Sequence, residues 1–119
     1  MYNVVKIGET EVPMLSMASC DLYYKNVFGE DPYKLQAGNM DPVDVSLFYM
    51  KMGYIMAEFA RLKDRKMMLQ LNMESYEKWL DEFGRPELIE ALPDVYYTYN
   101  GSRIGGSKEK KEEGGPSEE

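Results

Sequence analysis

The sequence predicts a mainly α protein (α+β), in which a short N-terminal β-hairpin packs on a small bundle of about four to five helices. Three observations favour this fold. A Gly-Glu pair separates two β-prone segments near the start, apolar residues then recur at three- and four-residue steps, and caps and prolines punctuate those stretches. The 119 residues and 44% apolar content suit one modest core. We expect a single globular domain over residues 1–99.

The hairpin is expected over residues 2–15. Val4–Ile7 and Thr10–Met14 flank Gly8-Glu9, a pair suited to a two-residue type II′ turn. Pro13 cannot donate to a strand ladder, which places its strand at an edge. Because a lone hairpin is marginal in water, we expect it to pack on the helices.

Helices are expected over about residues 16–92. Ser16 or Ser19 caps the first, and Gly29 ends it. Asp31-Pro32 then opens a short helical turn, because proline suits the first helical position. These signals place two helical segments before the longest one.

The longest helix begins at Asp41-Pro42, a side-chain cap followed by a residue with a preset φ, and runs to about Leu62. Apolar side chains cover most of its circumference. Such a helix must be central in the fold or buried against another chain. Gly53 inside it costs about 1 kcal/mol relative to alanine, which indicates a close contact or a bend there.

Shorter segments follow the long helix. Met67–Leu71 either continues that helix or forms a separate segment. Asn72 caps a helix of about Met73–Phe83, and a further short helix over Pro86–Leu92 stops before Pro93.

The end of the chain changes in composition. Val95–Tyr99 fits either a strand, because of its aromatic residues, or a last helical turn. Residues 100–119 are rich in Gly, Ser, Lys and Glu and contain almost nothing to bury. We expect a disordered, charged tail there.

The composition disfavours catalysis. The chain has no His and one Cys, Cys20, which lies on the apolar stripe of its helix and is best explained as a buried structural thiol. Adjacent carboxylates such as Glu30-Asp31 point in different directions on a helix, so they are poorly placed for shared acid-base work. Since no phosphate-binding, dinucleotide or metal motif is present, we expect no cofactor, no metal and no enzymatic activity.

The charge and hydropathy pattern narrows the range of partners. A net charge of −7 disfavours nucleic-acid binding, and the basic cluster Arg61–Lys66 is better explained as the solvated end of a helix. Charged residues interrupt the apolar stretch Val43–Leu62, so it is no membrane span. The N-terminus has no signal-peptide pattern, and a lone Cys cannot form an internal disulfide. We expect a cytoplasmic chain.

Ten Met and ten Tyr are more than a small core needs. Met-rich faces adapt to varied apolar partners, and Tyr is common at interfaces. A partner-binding surface on the long helix and beyond it, with self-association as a further expectation, follows as a hypothesis. Its candidate residues, chosen because they lie off the main core row, are Tyr49, Met50, Tyr54, Met56, Met67 and Met68.

Two short motifs follow the hairpin. The first is Tyr-Lys-Asn-Val-Phe-Gly-Glu-Asp at residues 24–31, and the second is Ser-Tyr-Glu-Lys-Trp-Leu at residues 75–80. Together they resemble the tail assembly chaperones of long-tailed phages and prophages, whose first helix has a Tyr-basic-x-x-Phe-Gly-x-Asp ending and which also have an aromatic-acidic-x-Trp-Leu segment. The Lys- and Glu-rich tail is similar too, and the resemblance covers roughly residues 2–99.

The resemblance implies a non-catalytic assembly factor of the host cell cytoplasm that is absent from the mature virion. Such chaperones bind the long tape-measure protein and help to recruit tail-tube subunits around it. Many also have a longer, frameshifted form, and residues 108–113 are where A-rich codons would place the shift. The residues alone leave another class open: a small cytoplasmic regulatory or adaptor protein that acts through a Met- and Tyr-rich helical surface.

Overall fold

The computed structural model of the chain describes residues 1–103. The elements in chain order are β1 (Tyr2–Ile7), β2 (Thr10–Leu15), α1 (Cys20–Phe28), α2 (Pro32–Ala37), α3 (Pro42–Arg61), a 3-10 helix (Arg65–Gln70), α4 (Met73–Leu80) and α5 (Arg85–Arg103). The predicted fold class, mainly α with an N-terminal hairpin, is confirmed. The predicted tail lies outside the described residues from 104 onward. Residues 100–103 belong to α5, so the predicted start of the tail at 100 is wrong.

The hairpin has the predicted turn. Ile7 pairs with Thr10, Gly8 has a φ of 63° and Glu9 has a negative φ, which is the pattern of a type II′ turn. Pro13 is exposed, and neither strand has a second neighbour among the described residues. The buried face of the sheet consists of Val5, Ile7, Val12 and Met14.

Helix α1 ends in a left-handed glycine. Gly29 has a φ of 71°, and its amide donates to the Lys25 carbonyl at 2.8 Å. Ser19 is the N-cap residue, although its side chain makes no capping hydrogen bond. The Tyr24 hydroxyl donates to Glu30 Oε1 at 2.9 Å, so it connects the helix to the segment that follows.

The later helices begin where the sequence predicts caps. The Asp41 carboxylate accepts from the Asp44 amide at 2.9 Å, and Pro42 is the first residue of α3. At the start of α4, Asn72 and Ser75 form a reciprocal capping box. These local signals fix where α3 and α4 start.

Helix α3 is the central element. It packs against β2, α1, α4, α5 and the 3-10 helix, and every residue from 52 to 59 is buried. Gly53 lies where α3 meets α5 and β2. A Cβ at this position would be 3.3 Å from Val95 Cγ1 and 3.6 Å from Met14 Cε, so the predicted close contact is confirmed.

Helix α5 continues through Pro93 to Arg103, so the prediction that a helix stops before Pro93 is wrong, and residues 95–99 are helical. Proline removes one intrahelical donor and usually kinks or ends a helix. Pro93 is exposed here, on the side of α5 where water can bond to the freed carbonyl. The opposite side of α5 is buried, so tertiary packing overrides the local preference. The buried residues are Leu88, Ala91, Val95, Thr98 and Tyr99.

Buried polar contacts join the end of α5 to α1 and its surroundings. The Tyr99 hydroxyl donates to Asp21 Oδ1 at 2.7 Å, and Gln36 Nε2 donates to the same hydroxyl at 3.2 Å. Ser16 Oγ donates to the Tyr99 carbonyl at 3.4 Å. Asp21 is only 5% exposed, so its carboxylate needs a partner within the protein, and the hydrogen bond from Tyr99 fixes the position of α5 relative to α1.

Candidate binding groove

An apolar groove of about 650 Å³ lies between the first half of α3 and the α4–α5 connection. Its wall on α3 is the exposed N-terminal part of an otherwise buried helix. Its other wall is the end of α4, the turn that follows and the first two turns of α5. The groove is lined by Pro42, Val43, Ser46, Leu47, Met50, Leu80, Asp81, Phe83, Arg85, Leu88 and Ile89.

Aromatic packing sets the position of α4, and thereby one wall of the groove. The Trp79 ring lies 5.6 Å from the Tyr54 ring and 5.2 Å from the Phe83 ring, measured between centroids. The Tyr76 ring meets the Phe28 ring edge-on at 5.0 Å. Offset and edge-on ring pairs of this kind stabilise the contact beyond the area they bury.

The α4–α5 turn leads directly into the next helix through a backbone hydrogen bond. The Leu88 amide donates to the Gly84 carbonyl at 3.0 Å, so α5 begins immediately after the turn. Leu80 at the end of α4 and Leu88 near the start of α5 line the same groove.

The groove offers apolar side chains to solvent. Val43 is 66% exposed, Leu47 is 47% exposed and Ile89 is 51% exposed. Only two of the lining residues, Asp81 and Arg85, carry a charge. A lining of this composition suits an apolar face of another chain better than a charged small molecule.

A second, smaller concavity lies on the other side of Leu47. It measures about 210 Å³, and Leu47 lines both it and the groove. Leu47 therefore stands on a ridge between the two depressions. The other residues of the smaller concavity are Tyr24, Glu30, Leu35, Met40, Asp44, Phe48 and Lys51.

The structure places most of the predicted partner-binding residues in the core. Tyr49, Tyr54, Met56 and Met68 are at most 7% exposed. The prediction that they lie off the core is wrong, because α1, α4, α5 and the 3-10 helix together cover more of α3 than the sequence pattern indicated. Met68 lies on the 3-10 helix itself, which packs against α1 and α3. Tyr54 also hydrogen-bonds through its hydroxyl to Ser75 Oγ at 2.5 Å.

The other two predicted residues are accessible. Met50 is half-buried and lines the groove. Met67 is 42% exposed, but it lies on the 3-10 helix and does not line the groove. The structure therefore brings only one of the six predicted residues to the groove.

Burial governs the titratable groups of the core. Desolvation raises the pKa of the Cys20 thiol to about 11 and that of Tyr76 to about 12. Burial also raises the pKa of Tyr54, although the hydrogen bond to Ser75 opposes this change. Tyr24 likewise has a raised pKa, first from burial and then from its bond to Glu30. At neutral pH these groups are uncharged and act as packing residues.

The basic cluster at the end of α3 is partly engaged within the protein. Arg61 pairs with Glu58, and this hydrogen bond raises the pKa of Arg61. The Arg65 guanidinium lies 3.7 Å from the centroid of the Phe59 ring and donates to the Leu62 carbonyl at 3.0 Å. Two of the four cations thus stabilise the helix end and the 3-10 helix.

The described part of the chain contains neither a metal-binding cluster nor a membrane-spanning helix. No group of three His, Cys, Asp or Glu side chains within residues 1–103 is arranged to hold a metal ion. None of the helices in that range combines the length and the apolarity needed to cross a membrane.

The sequence pattern missed most of the groove. Part of the groove could have been found in the sequence, because Leu47 and Met50 belong to one apolar row of α3. Leu88 and Ile89 are likewise consecutive apolar residues on α5. Which of these rows stays exposed depends on how α4 and α5 pack, and that is a tertiary property.

In comparisons with known proteins, no family model, no curated protein and no solved structure matches the chain.

Proposed function

We propose that this protein is a non-catalytic tail assembly chaperone of a long-tailed phage or prophage. It acts in the host cell cytoplasm, binds the tape-measure protein and helps to recruit tail-tube subunits, and it is not retained in the mature virion. The observation that carries the proposal is the apolar groove, whose exposed Val43, Leu47 and Ile89 have no covering element among residues 1–103.

The groove suits a helical client. An amphipathic helix presents apolar side chains at three- and four-residue steps, and a groove between helices accepts them one turn after another. The tape-measure proteins of the family that this chain resembles are long and helical. Met50, which lines the groove, gives it an adaptable surface, because the Met side chain is flexible and polarizable. One groove could therefore accept several client segments in turn.

The charge of the chain supports the same role. A chaperone that coats an aggregation-prone client has to keep the complex dispersed. A net charge of −7 on each bound copy produces mutual repulsion between coated clients. The motif over residues 24–31 supports the family assignment through its fold, since Tyr24 and Gly29 hold the end of α1 as described above.

Co-expression tests the proposal directly. The tape-measure protein of the same phage or prophage genome is produced with and without the chain, and its soluble fraction is measured. We expect it to remain soluble only in company with the chain, and to co-purify with it. The variants Leu47→Asp and Met50→Asp place a charge in the groove and should weaken the complex at least about tenfold, as expected for central interface positions.

The matched control is Leu22→Asp. Leu22 is 70% exposed on α1 and does not line the groove, so this variant adds the same charge elsewhere. It should retain full binding, and circular dichroism should show equal helicity for all three variants. Binding that survives Leu47→Asp, or a tape-measure protein that is equally soluble alone, would contradict the proposal. A groove partner other than tail proteins would then favour the regulatory or adaptor class.

A further inference from the structure

The groove and the Leu47 ridge beside it form a surface whose shape is self-complementary. Leu47 and Val43 project from α3 beside a depression that is lined by Leu80, Leu88 and Ile89. In a twofold dimer each subunit contributes the same patch, so a ridge beside a groove allows each ridge to enter the opposite groove. A surface that is only concave would not offer this arrangement.

The charges of the groove are complementary in the same sense. Asp81 and Arg85 are its two charged lining residues, they have opposite signs, and both are exposed. Neither takes part in the ion pairs found among residues 1–103. In a twofold arrangement Asp81 can face Arg85 of the partner subunit, and the reciprocal contact forms by symmetry. A patch with charges of one sign would instead repel its own copy.

We propose that a second copy of this chain covers the groove when no client is bound, so that a reversible homodimer protects the apolar surface. The idea that a client helix displaces one copy of the dimer rests on the proposed function. The formation of the dimer does not depend on that function.

Charge reversal with rescue tests the dimer. Analytical ultracentrifugation of the full chain over a dilution series should show a mass that rises from 13.8 kDa towards twice that value. Asp81→Arg alone and Arg85→Asp alone should each weaken the dimer about tenfold, since two symmetric pairs are lost and each is worth up to about fivefold. The double variant Asp81→Arg/Arg85→Asp restores opposite charges across the twofold axis and should recover most of the affinity.

Apolar variants locate the interface. Leu47→Asp should give a monomer at all concentrations, whereas Leu22→Asp, on the exposed part of α1, should dimerise like the wild type. A wild-type chain that stays monomeric up to about 1 mM, a dimer that survives Leu47→Asp, or a double variant no better than either single variant would each overturn the proposal. Circular dichroism separates loss of the dimer from loss of the fold.

The two proposals fail in different ways. If the wild type stays monomeric but solubilises the tape-measure protein, the dimer is wrong and the chaperone function stands. If the dimer responds to the variants as described but no tape-measure protein binds, the chaperone function is wrong and the self-association stands. If both hold, added tape-measure protein should convert dimer into a complex with one copy per groove, in proportion to its concentration.

Discussion

Replacing Tyr99 by Phe removes one hydroxyl from a buried polar contact between α5 and α1. That hydroxyl donates to Asp21 Oδ1 at 2.7 Å and accepts from Gln36 Nε2 at 3.2 Å. A hydrogen bond to a carboxylate contributes about 1.5–3 kcal/mol, and an acceptor left buried without its donor keeps its desolvation cost. We expect the free energy of unfolding to fall by about 2 kcal/mol. For a domain of this size the loss lowers the Tm by about 8–16 °C.

The neighbouring tyrosine supplies the control. Tyr97 lies on the same helix and is 56% exposed, so Tyr97→Phe makes the same chemical change on the solvent side. Thermal and urea unfolding of both variants should show a change within about 0.5 kcal/mol for Tyr97→Phe. If Tyr99→Phe were equally mild, the bond between Asp21 and Tyr99 would make no net contribution, and the reasoning about the junction of α1 and α5 would fail.

Three further predictions concern the core and the helix ends. Gly53→Ala should be neutral or destabilising in the wild type, because the added Cβ would lie 3.3 Å from Val95 Cγ1. In a Val95→Ala background the same substitution should raise the free energy of unfolding by about 1 kcal/mol, and equal effects in both backgrounds would contradict the close contact. Asn72→Ala removes half of the capping box and should cost about 1 kcal/mol in urea unfolding, whereas no loss would mean that the box is redundant. The pKa of Cys20 is raised from 9.0 to about 11 in the folded chain, so between these pH values the thiol is protonated when folded and ionised when unfolded. The free energy of unfolding should therefore fall by up to about 1.4 kcal/mol per pH unit as the pH rises through that window. Cys20→Ala should reduce this slope, and an unchanged slope would refute the reasoning.

The parts of the fold that the sequence predicts well are those fixed by neighbours in the chain. Gly8-Glu9 determines its turn through backbone geometry, and Asp41 and Asn72 each accept from an amide three residues further along the chain. Pro93 shows the limit of such signals. Its local effect is to end a helix, but the buried side of α5 packs against β1 and α3, and this contact outweighs the lost hydrogen bond.

The candidate site was harder to predict for a related reason. An apolar row on α3 shows that something covers it, but not whether the cover comes from the same chain. Tyr54 and Met56 are covered by the chain itself and belong to the core, whereas Leu47, three residues before the half-buried Met50, is left open. The difference arises because α4 packs beside the second half of α3 through Trp79 and Tyr54, while the first half extends past it.

The position of Trp79 has an optical consequence. It is the single tryptophan of the chain, and its ring contacts Phe83, which lines the groove. Light absorbed by the surrounding tyrosines, including Tyr54 at 5.6 Å, passes to this one emitter. The native fluorescence of the unlabelled protein therefore reports from a single place beside the groove. A shift in its emission maximum on adding a partner would mark occupancy of that wall, whereas unfolding would move it further to the red.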